Sequence, residues 1–143
     1  MGIKTKSDSN LVRVLQDDGV PFSELQKYEN CSTVNLKDLR EDLGMGSWAV
    51  RIAYNELFGG VIIQQQPGEG NRKHFHHDAD ENWVILDGEW EWWIDGIGTQ
   101  VVRKNDIVVV PKGVWHKITC VGDSPGVRYA VTRPDVDHVY EDE

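Results

Sequence analysis

Residues 68–88 read GEGNRKHFHHDADENWVILDG, and this stretch decides how the rest of the chain is interpreted. His74 and His76 lie two positions apart, so on an extended strand both imidazoles point to the same face. Glu81 follows after a polar interval of four residues, which is long enough to change the direction of the chain. Two histidines and a carboxylate from adjacent strands predict a site for a divalent transition metal.

Short extended runs dominate the rest of the chain. Those that we interpret as strands lie at residues 48–54, 57–66, 81–86, 89–94, 99–103, 107–110, 116–121 and 127–132. Gly, Asp, Asn or Pro separates nearly every pair of runs, a pattern that is typical of β-sandwiches and barrels. The fold class is therefore predicted to be all-β.

One or two short helices are predicted in the N-terminal third. Residues 35–43 are the best candidate, because Asn35 can cap the helix, leucines recur on one face and Gly44 can end it. Residues 21–28 could add one helical turn, and residues 11–15 a short strand.

The composition limits the partners and the location of the protein. A net charge of -9 disfavours binding to nucleic acid or to an anionic membrane, since both need a basic face. No apolar run is as long as a membrane span, and residues 1–10 lack a signal-peptide core, so a cytoplasmic protein is expected. Residues 1–10 are expected to be flexible, and residues 11–143 to form a single domain.

The two cysteines and the acidic C-terminal residues are each interpreted by their most common role. Cys31 and Cys120 do not make a disulfide framework, and although one bridge is possible, we expect two buried or partly buried free thiols. Residues 135–143 are strongly acidic, and we interpret them as a solubilising tail.

Asp87-Gly88 stands between two extended runs and predicts a two-residue type I′ hairpin turn. Counting outward pairs Trp83 with Trp92, and directly opposed residues share a face. The first face would hold Glu81, Trp83, Ile85, Trp90, Trp92 and Ile94, and the second Asn82, Val84, Leu86, Glu89, Glu91 and Trp93. The tryptophans of the first face could wall a metal cavity or simply fill the core.

Three histidines remain as candidates for a fourth metal ligand. His77 follows His76 directly and would point away from it on an extended strand. His138 lies in the acidic tail. His116 is better placed, because Pro111 and Gly113 form a tight turn that delivers it to the start of a strand.

These residues stand in a recognisable pattern, and the sequence resembles the cupin superfamily. The first cupin motif is matched with every spacing kept by Gly68, His74, His76, Glu81 and Gly88. The second motif is matched by Asn105, Pro111, Gly113, His116 and Cys120. Asn105 replaces a glycine of the motif and also tolerates positive φ, so the turn is expected to survive. Cys120 replaces an asparagine that is not usually a ligand.

The resemblance implies a jelly-roll barrel, also called a double-stranded β-helix, whose core motifs are residues 68–88 and 105–120. It also implies one divalent metal near one mouth of the barrel, held by His74, His76, Glu81 and His116. Three imidazoles and one carboxylate suit iron(II), manganese, zinc, nickel and copper, so the sequence leaves the metal open.

The resemblance narrows the choice of function only in part, because members of the cupin superfamily have many different activities. Residues 77–83 are similar to a run in the cupin domain of type II phosphomannose isomerases, but are one residue longer. We expect a sugar or sugar-phosphate isomerase, epimerase or lyase that uses the metal as a Lewis acid. An iron(II) dioxygenase and a non-catalytic small-ligand binder are the alternatives.

Several residues are candidates for contact with a small, anionic substrate. Arg72 and Lys73 place two cations beside His74, although they could also be a solvated basic turn. Arg51, Trp83 and Trp92 are further substrate-binding candidates. Lys73, Tyr54 and Tyr129 are candidate catalytic groups, with Arg51 as a further candidate base. The apolar face with Val84, Leu86 and Trp93 needs cover by the helix or by a second subunit, and we expect a homodimer.

Overall fold

The computed structural model describes residues 3–7, 20 and 26–141. Within these residues the chain forms eleven strands and one helix. In chain order they are β1 (Ile3–Ser7), α1 (Leu36–Leu43), β2 (Trp48–Tyr54), β3 (Gly59–Gln65), β4 (Gly70–His74), β5 (Glu81–Asp87), β6 (Glu89–Ile94), β7 (Gly98–Arg103), β8 (Ile107–Val110), β9 (His116–Val121), β10 (Gly126–Thr132) and β11 (Asp137–Glu141). No helix in this part of the chain is long and apolar enough to cross a membrane.

Two antiparallel sheets enclose the core. One has the strand order β2-β3-β10-β5-β8 and the other β4-β9-β6-β7. Both sheets contribute apolar side chains to one buried cluster. Its largest members are Trp83, Trp90 and Trp92, each at most 2% exposed. This arrangement confirms the predicted all-β jelly-roll barrel.

The predicted hairpin between residues 81–86 and 89–94 is wrong. β5 pairs with β10 and β8, whereas β6 pairs with β7 and β9, so the two strands lie in different sheets. Gly88, with φ 77°, turns the chain at the corner between the sheets, and a Cβ there would lie 2.6 Å from the Cα of Gly126. The first predicted face is nevertheless confirmed as the inward one, because alternation along each strand sets which side chains point inward whatever strand lies beside it. The second predicted face is wrong as a single surface, since its members on β5 and on β6 lie on the outer sides of two different sheets.

The helix prediction is confirmed at both ends. The side-chain oxygen of Asn35 accepts a hydrogen bond from the backbone N–H of Asp38 at 2.9 Å, and α1 ends at Gly44 with φ 87°. Leu39 is buried against the outer side of the five-stranded sheet. The predicted strand at residues 11–15 lies outside the described residues, as do residues 21–25, and residues 26–30 form a turn.

The two chain ends form a small sheet of their own. β1, within the stretch expected to be flexible, pairs with β11, within the stretch expected to be a solubilising tail. Phe75 and Val139 exchange backbone hydrogen bonds of 3.1 and 2.9 Å. This contact brings β11 beside the end of β4, and so brings C-terminal side chains to the histidines of the first motif.

Candidate metal centre

Three strands and one connection of the barrel bring the four predicted ligands together. His74 ends β4 and faces His116, which opens β9. Glu81 opens β5, and His76 lies in the connection between β4 and β5. All four side chains are buried, and their ligand atoms lie within 4.8 Å of one another. The arrangement could therefore hold one metal ion.

Each of the three imidazoles is held by a backbone carbonyl. The Nδ1 atoms lie 2.7 Å from the carbonyl of Arg72 for His74, 2.8 Å from that of Asp137 for His76 and 3.0 Å from that of Val114 for His116. A carbonyl can only accept, so Nδ1 carries the proton in all three rings. The lone pair then resides on Nε2, which is the tautomer that a metal requires.

Burial and charge set the protonation states of the cluster. Burial lowers the pKa of His74 well below its usual value, and the neighbouring rings of His116, His138 and His76 lower it further, so the imidazole is neutral. Burial acts to raise the pKa of Glu81, but the charge and close contact of His76 and His116 in their protonated forms outweigh it, and the pKa lies well below its usual value. A neutral imidazole and an ionised carboxylate are the forms that bind a metal.

The interatomic distances also suit a shared ion. The Oε1 atom of Glu81 lies 3.4 Å from the Nε2 atoms of both His76 and His116. Two ligands that are each about 2.1 Å from a tetrahedral ion are themselves about 3.4 Å apart. The Nε2 atoms of His74 and His116 are buried and make no hydrogen bond to the described residues. A divalent cation would satisfy both nitrogens, so the donor set fits a metal.

The turn before β9 has the geometry expected from the second motif. Asn105 and Gly113 have φ angles of 76° and 77°, so Asn105 does take the left-handed conformation of the glycine that it replaces. The N–H of Gly113 donates to the carbonyl of His76 at 2.7 Å, which ties the turn to the first motif. Cys120 is buried with its Sγ 3.5 Å from the carbonyl of Gln65, and burial raises the pKa of its thiol. Both cysteines are free thiols, as expected, but the expectation that both are at least partly buried is wrong for Cys31, which is exposed.

Arg72 and Lys73, the two candidate substrate residues that precede His74, lie in different surroundings. Lys73 is exposed on the outside of the four-stranded sheet, with its ammonium 5.1 Å from the ring centre of Trp115 and 3.1 Å from the carboxylate of Glu141. The Arg72 guanidinium stacks 4.1 Å from the ring centre of Tyr140, which lies 5.7 Å from the ring of His74. Arg72 is thus beside the cluster, and Lys73 is not.

The other candidate polar groups have partners away from the cluster. The Tyr54 hydroxyl donates to the carboxylate of Asp135 at 2.8 Å, a bond that raises its pKa. Arg51 stacks 3.8 Å from the ring centre of Tyr54 and pairs with Glu29. Tyr129 packs against Gly60 and belongs to the apolar cluster around α1, where burial raises the pKa of its phenol. The structure brings none of these three side chains into contact with the four clustered residues.

The tryptophans of the interior fill the core. Trp83 and Trp92 are 2% and 0% exposed, and their rings meet edge to face at 5.1 Å. Trp83 also touches the cluster directly, since its indole N–H donates to Oε1 of Glu81 at 2.9 Å.

His138 and Tyr140 are the residues near the cluster that sequence reasoning missed. The ring of His138 lies 4.9 Å from that of His74 and 4.7 Å from that of His76. It stacks on Tyr140 with an interplanar angle of 13°. A signal was present, because residues 136–140 mix Val, His and Tyr with the acids at a spacing that suits a strand.

Removing one imidazole tests the cluster as a metal centre. We expect His116→Ala to weaken zinc or cobalt(II) binding by at least about 100-fold, because losing a ligand costs more than losing an outer-shell partner. Isothermal titration of the metal-free protein measures the affinity. His77→Ala is the matched control, since His77 is exposed beside the cluster, and it should bind like the wild type. Undiminished binding by His116→Ala would contradict the ligand set.

Comparisons with known proteins agree with this architecture. KdgF from Halomonas sp. superposes with a TM-score of 0.57 at 17% identity, over 62% of this chain and 81% of the other. A protein from Bacillus halodurans superposes with a TM-score of 0.61 at 17% identity, over 71% and 80%. For a sugar phosphate isomerase of the cupin superfamily from Silicibacter pomeroyi the values are 0.54 and 22%, over 61% and 58%. At these identities the likeness shows the fold alone.

The family itself is shown by sequence. No curated protein matches the chain significantly. A family model for the cupin domain matches residues 61–132, which is half of the chain. Because this segment also carries all four clustered side chains, the chain belongs to the cupin domain family.

Proposed function

We propose that the protein is a metal-dependent enzyme that isomerises, epimerises or eliminates from a small anionic substrate such as a sugar phosphate. The observation that supports this proposal best is the convergence of His74, His76, Glu81 and His116, with three Nδ1 atoms tied to backbone carbonyls. A divalent metal held there would polarise a carbonyl or hydroxyl oxygen of the substrate.

The side chains beside the cluster would bind and orient the substrate. Arg72 offers a guanidinium next to the ring of Tyr140, and a planar fork of N–H donors suits a phosphate or carboxylate. His138 lies against both His74 and His76, where it can contact a group that approaches the metal. The ring of Tyr140 then lies between the anion-binding guanidinium and the metal site. This spacing suits a substrate whose reacting carbon lies a few bonds from its charged group.

The nature of the neighbours is consistent with this proposal. One structural neighbour is named a sugar phosphate isomerase, and a second, from Acidithiobacillus ferrooxidans, a putative one. The tryptophans that could have walled a metal cavity are packed core residues, since Trp83 and Trp92 are at most 2% exposed, and this disfavours a dioxygenase that binds an apolar substrate between them. The proposal therefore places the substrate on the Arg72 side of the cluster and not between the tryptophans.

Turnover of sugar phosphates separates the candidate functions. The protein is loaded anaerobically with zinc, manganese or iron(II) and mixed with a panel of aldose and ketose phosphates in D2O. We expect proton NMR to show deuterium entering a carbon next to the substrate carbonyl, or loss of the starting sugar. Oxygen consumption that requires both iron(II) and an organic substrate would instead support a dioxygenase. Metal and ligand binding without any turnover would support a non-catalytic binder.

Arg72 and Lys73 provide a matched pair for locating the anion. We expect Arg72→Gln to raise KM for a sugar phosphate by at least about tenfold, because hydrogen bonds to charged groups contribute about 1.5–3 kcal/mol. Lys73→Gln should leave KM unchanged, since its ammonium is exposed on the outer face. Metal content should stay as in the wild type for both. Equal effects of the two substitutions would argue against an anion site at Arg72.

We also propose that the chain forms a homodimer through β8. This strand is an edge of the five-stranded sheet among the described strands. Its outward side chains Ile107 and Val109 are 67% and 61% exposed, and an edge of this kind invites pairing with another strand. Part of the apolar face that was predicted to need cover is covered within the chain, since Leu86 packs against the apolar cluster around α1.

The charges at the ends of β8 complement those of a second copy. Two copies of β8 can pair antiparallel about a two-fold axis with Val109 opposite its own copy. Counting outward then places Asp106 opposite Lys112 of the partner subunit, and both residues are exposed. Opposed charges of unlike sign stabilise a strand pair.

A single carboxylate should break this dimer. Val109→Asp would place two aspartates face to face across the axis, so we expect a monomer in analytical ultracentrifugation where the wild type sediments as a dimer. Val101→Asp is the control, because Val101 is also exposed, at 48%, but lies on β7. A monomeric wild type, or a dimeric Val109→Asp, would refute pairing through β8.

A further inference from the structure

We propose that Trp83 positions the metal-binding carboxylate of Glu81, and that Arg128 in turn fixes Trp83. The inference rests on the proposed metal site and deepens it, because it assigns a role to an interior network that the ligand set leaves unexplained. Trp83 and Arg128 are positioning residues in this proposal, since neither would touch the metal or the substrate.

The contact between Trp83 and Glu81 is direct. The two residues lie two positions apart on β5 and therefore on the same face, with Nε1 of the indole 2.9 Å from Oε1 of Glu81. The same oxygen lies 3.4 Å from the Nε2 atoms of His76 and His116. A glutamate side chain has three rotatable bonds, so a donor on a rigid, buried ring selects the rotamer that turns this oxygen toward the histidines.

Trp83 is itself fixed by a buried cation. The guanidinium of Arg128 lies 4.7 Å from the ring centre of Trp83 and 5.1 Å from that of Trp90, and Arg128 is fully buried. Its Nη2 atom donates to the side-chain oxygens of Gln65 and Asn71, each at 2.7 Å. A buried cation is costly unless it is well coordinated. In this proposal the guanidinium packs against Trp83 and holds the indole in the orientation from which its N–H reaches Glu81.

Trp92 is an interior tryptophan without this positioning role. It is as deeply buried as Trp83 and packs against it edge to face. Its Nε1 atom makes no hydrogen bond to any residue in the described part of the chain. Replacing Trp92 by phenylalanine therefore perturbs the same core without touching Glu81, which makes it a matched control.

The test compares metal affinity and the metal's spectrum. Metal-free wild type, Trp83→Phe and Trp92→Phe are titrated with cobalt(II), and the visible absorption bands of the bound ion are recorded. We expect Kd to rise about 10–100-fold in Trp83→Phe, as for other outer-shell partners, and less than about threefold in Trp92→Phe. The cobalt bands should shift in Trp83→Phe alone. Equal changes in both variants would mean that core packing, and not the hydrogen bond, sets the affinity.

A second substitution keeps the test informative if Trp83→Phe does not fold. Site-specific incorporation of benzothienylalanine at position 83 retains the ring shape and deletes only the N–H donor, and it should weaken cobalt binding as Trp83→Phe does. Unchanged affinity and spectrum would overturn the role of Trp83. If the wild type itself binds no cobalt, the proposed metal site fails, and this inference with it; wild-type binding with unchanged variants would overturn this inference alone.

Arg128 is tested by a double-mutant cycle. Arg128→Lys should weaken cobalt binding in the wild-type background, because a lysine lacks the planar fork that Gln65 and Asn71 hold. The same substitution should have no further effect in the Trp83→Phe background if Arg128 acts through Trp83. Additive losses in affinity would show that Arg128 acts by another route.

Discussion

Three hydrogen bonds between imidazole Nδ1 atoms and backbone carbonyls are the constraint on which the site depends. The carbonyls belong to Arg72 on β4, Asp137 on β11 and Val114 before β9. Two of these bonds are local, because Arg72 and Val114 lie two residues before His74 and His116, whereas Asp137 reaches His76 only when β11 docks beside β4. Local geometry therefore orients two of the rings, and the folded barrel orients the third and brings all of them to one point, so an unfolded chain would have no preformed site.

The same closure places polar and charged groups where water is excluded. Glu81 is balanced by the imidazoles around it, and Arg128 by two amide oxygens and two indole rings. Such groups are expensive to bury unless every contact is well formed. Their arrangement in series, from Arg128 through Trp83 to Glu81, makes the core beneath the site part of its geometry. A metal ion would complete this network by coordinating the buried nitrogens that face Glu81.

The sequence predicted the extent of the strands and the faces of their side chains more reliably than their partners. Residues 81–94 show why: alternation sends Glu81, Trp83, Ile85, Trp90 and Trp92 inward in either topology, so the inward face was confirmed although the hairpin was wrong. A two-residue turn signal cannot distinguish a hairpin from a corner between two sheets, because both need positive φ at Gly88. Which strand lies beside which is decided by long-range packing.

By itself, the sequence determined the all-β class and the helix cap at Asn35, because these follow from local periodicity and turn chemistry. The jelly-roll barrel and the four side chains that converge were implied by the resemblance of two motifs to those of cupins. Only the tertiary structure decided what surrounds them. It placed Tyr140 against Arg72, and it brought His138 across from an apparent acidic tail. The physical reason is that β11 docks beside β4 through Phe75 and Val139, a pairing between residues far apart in sequence that local patterns do not encode.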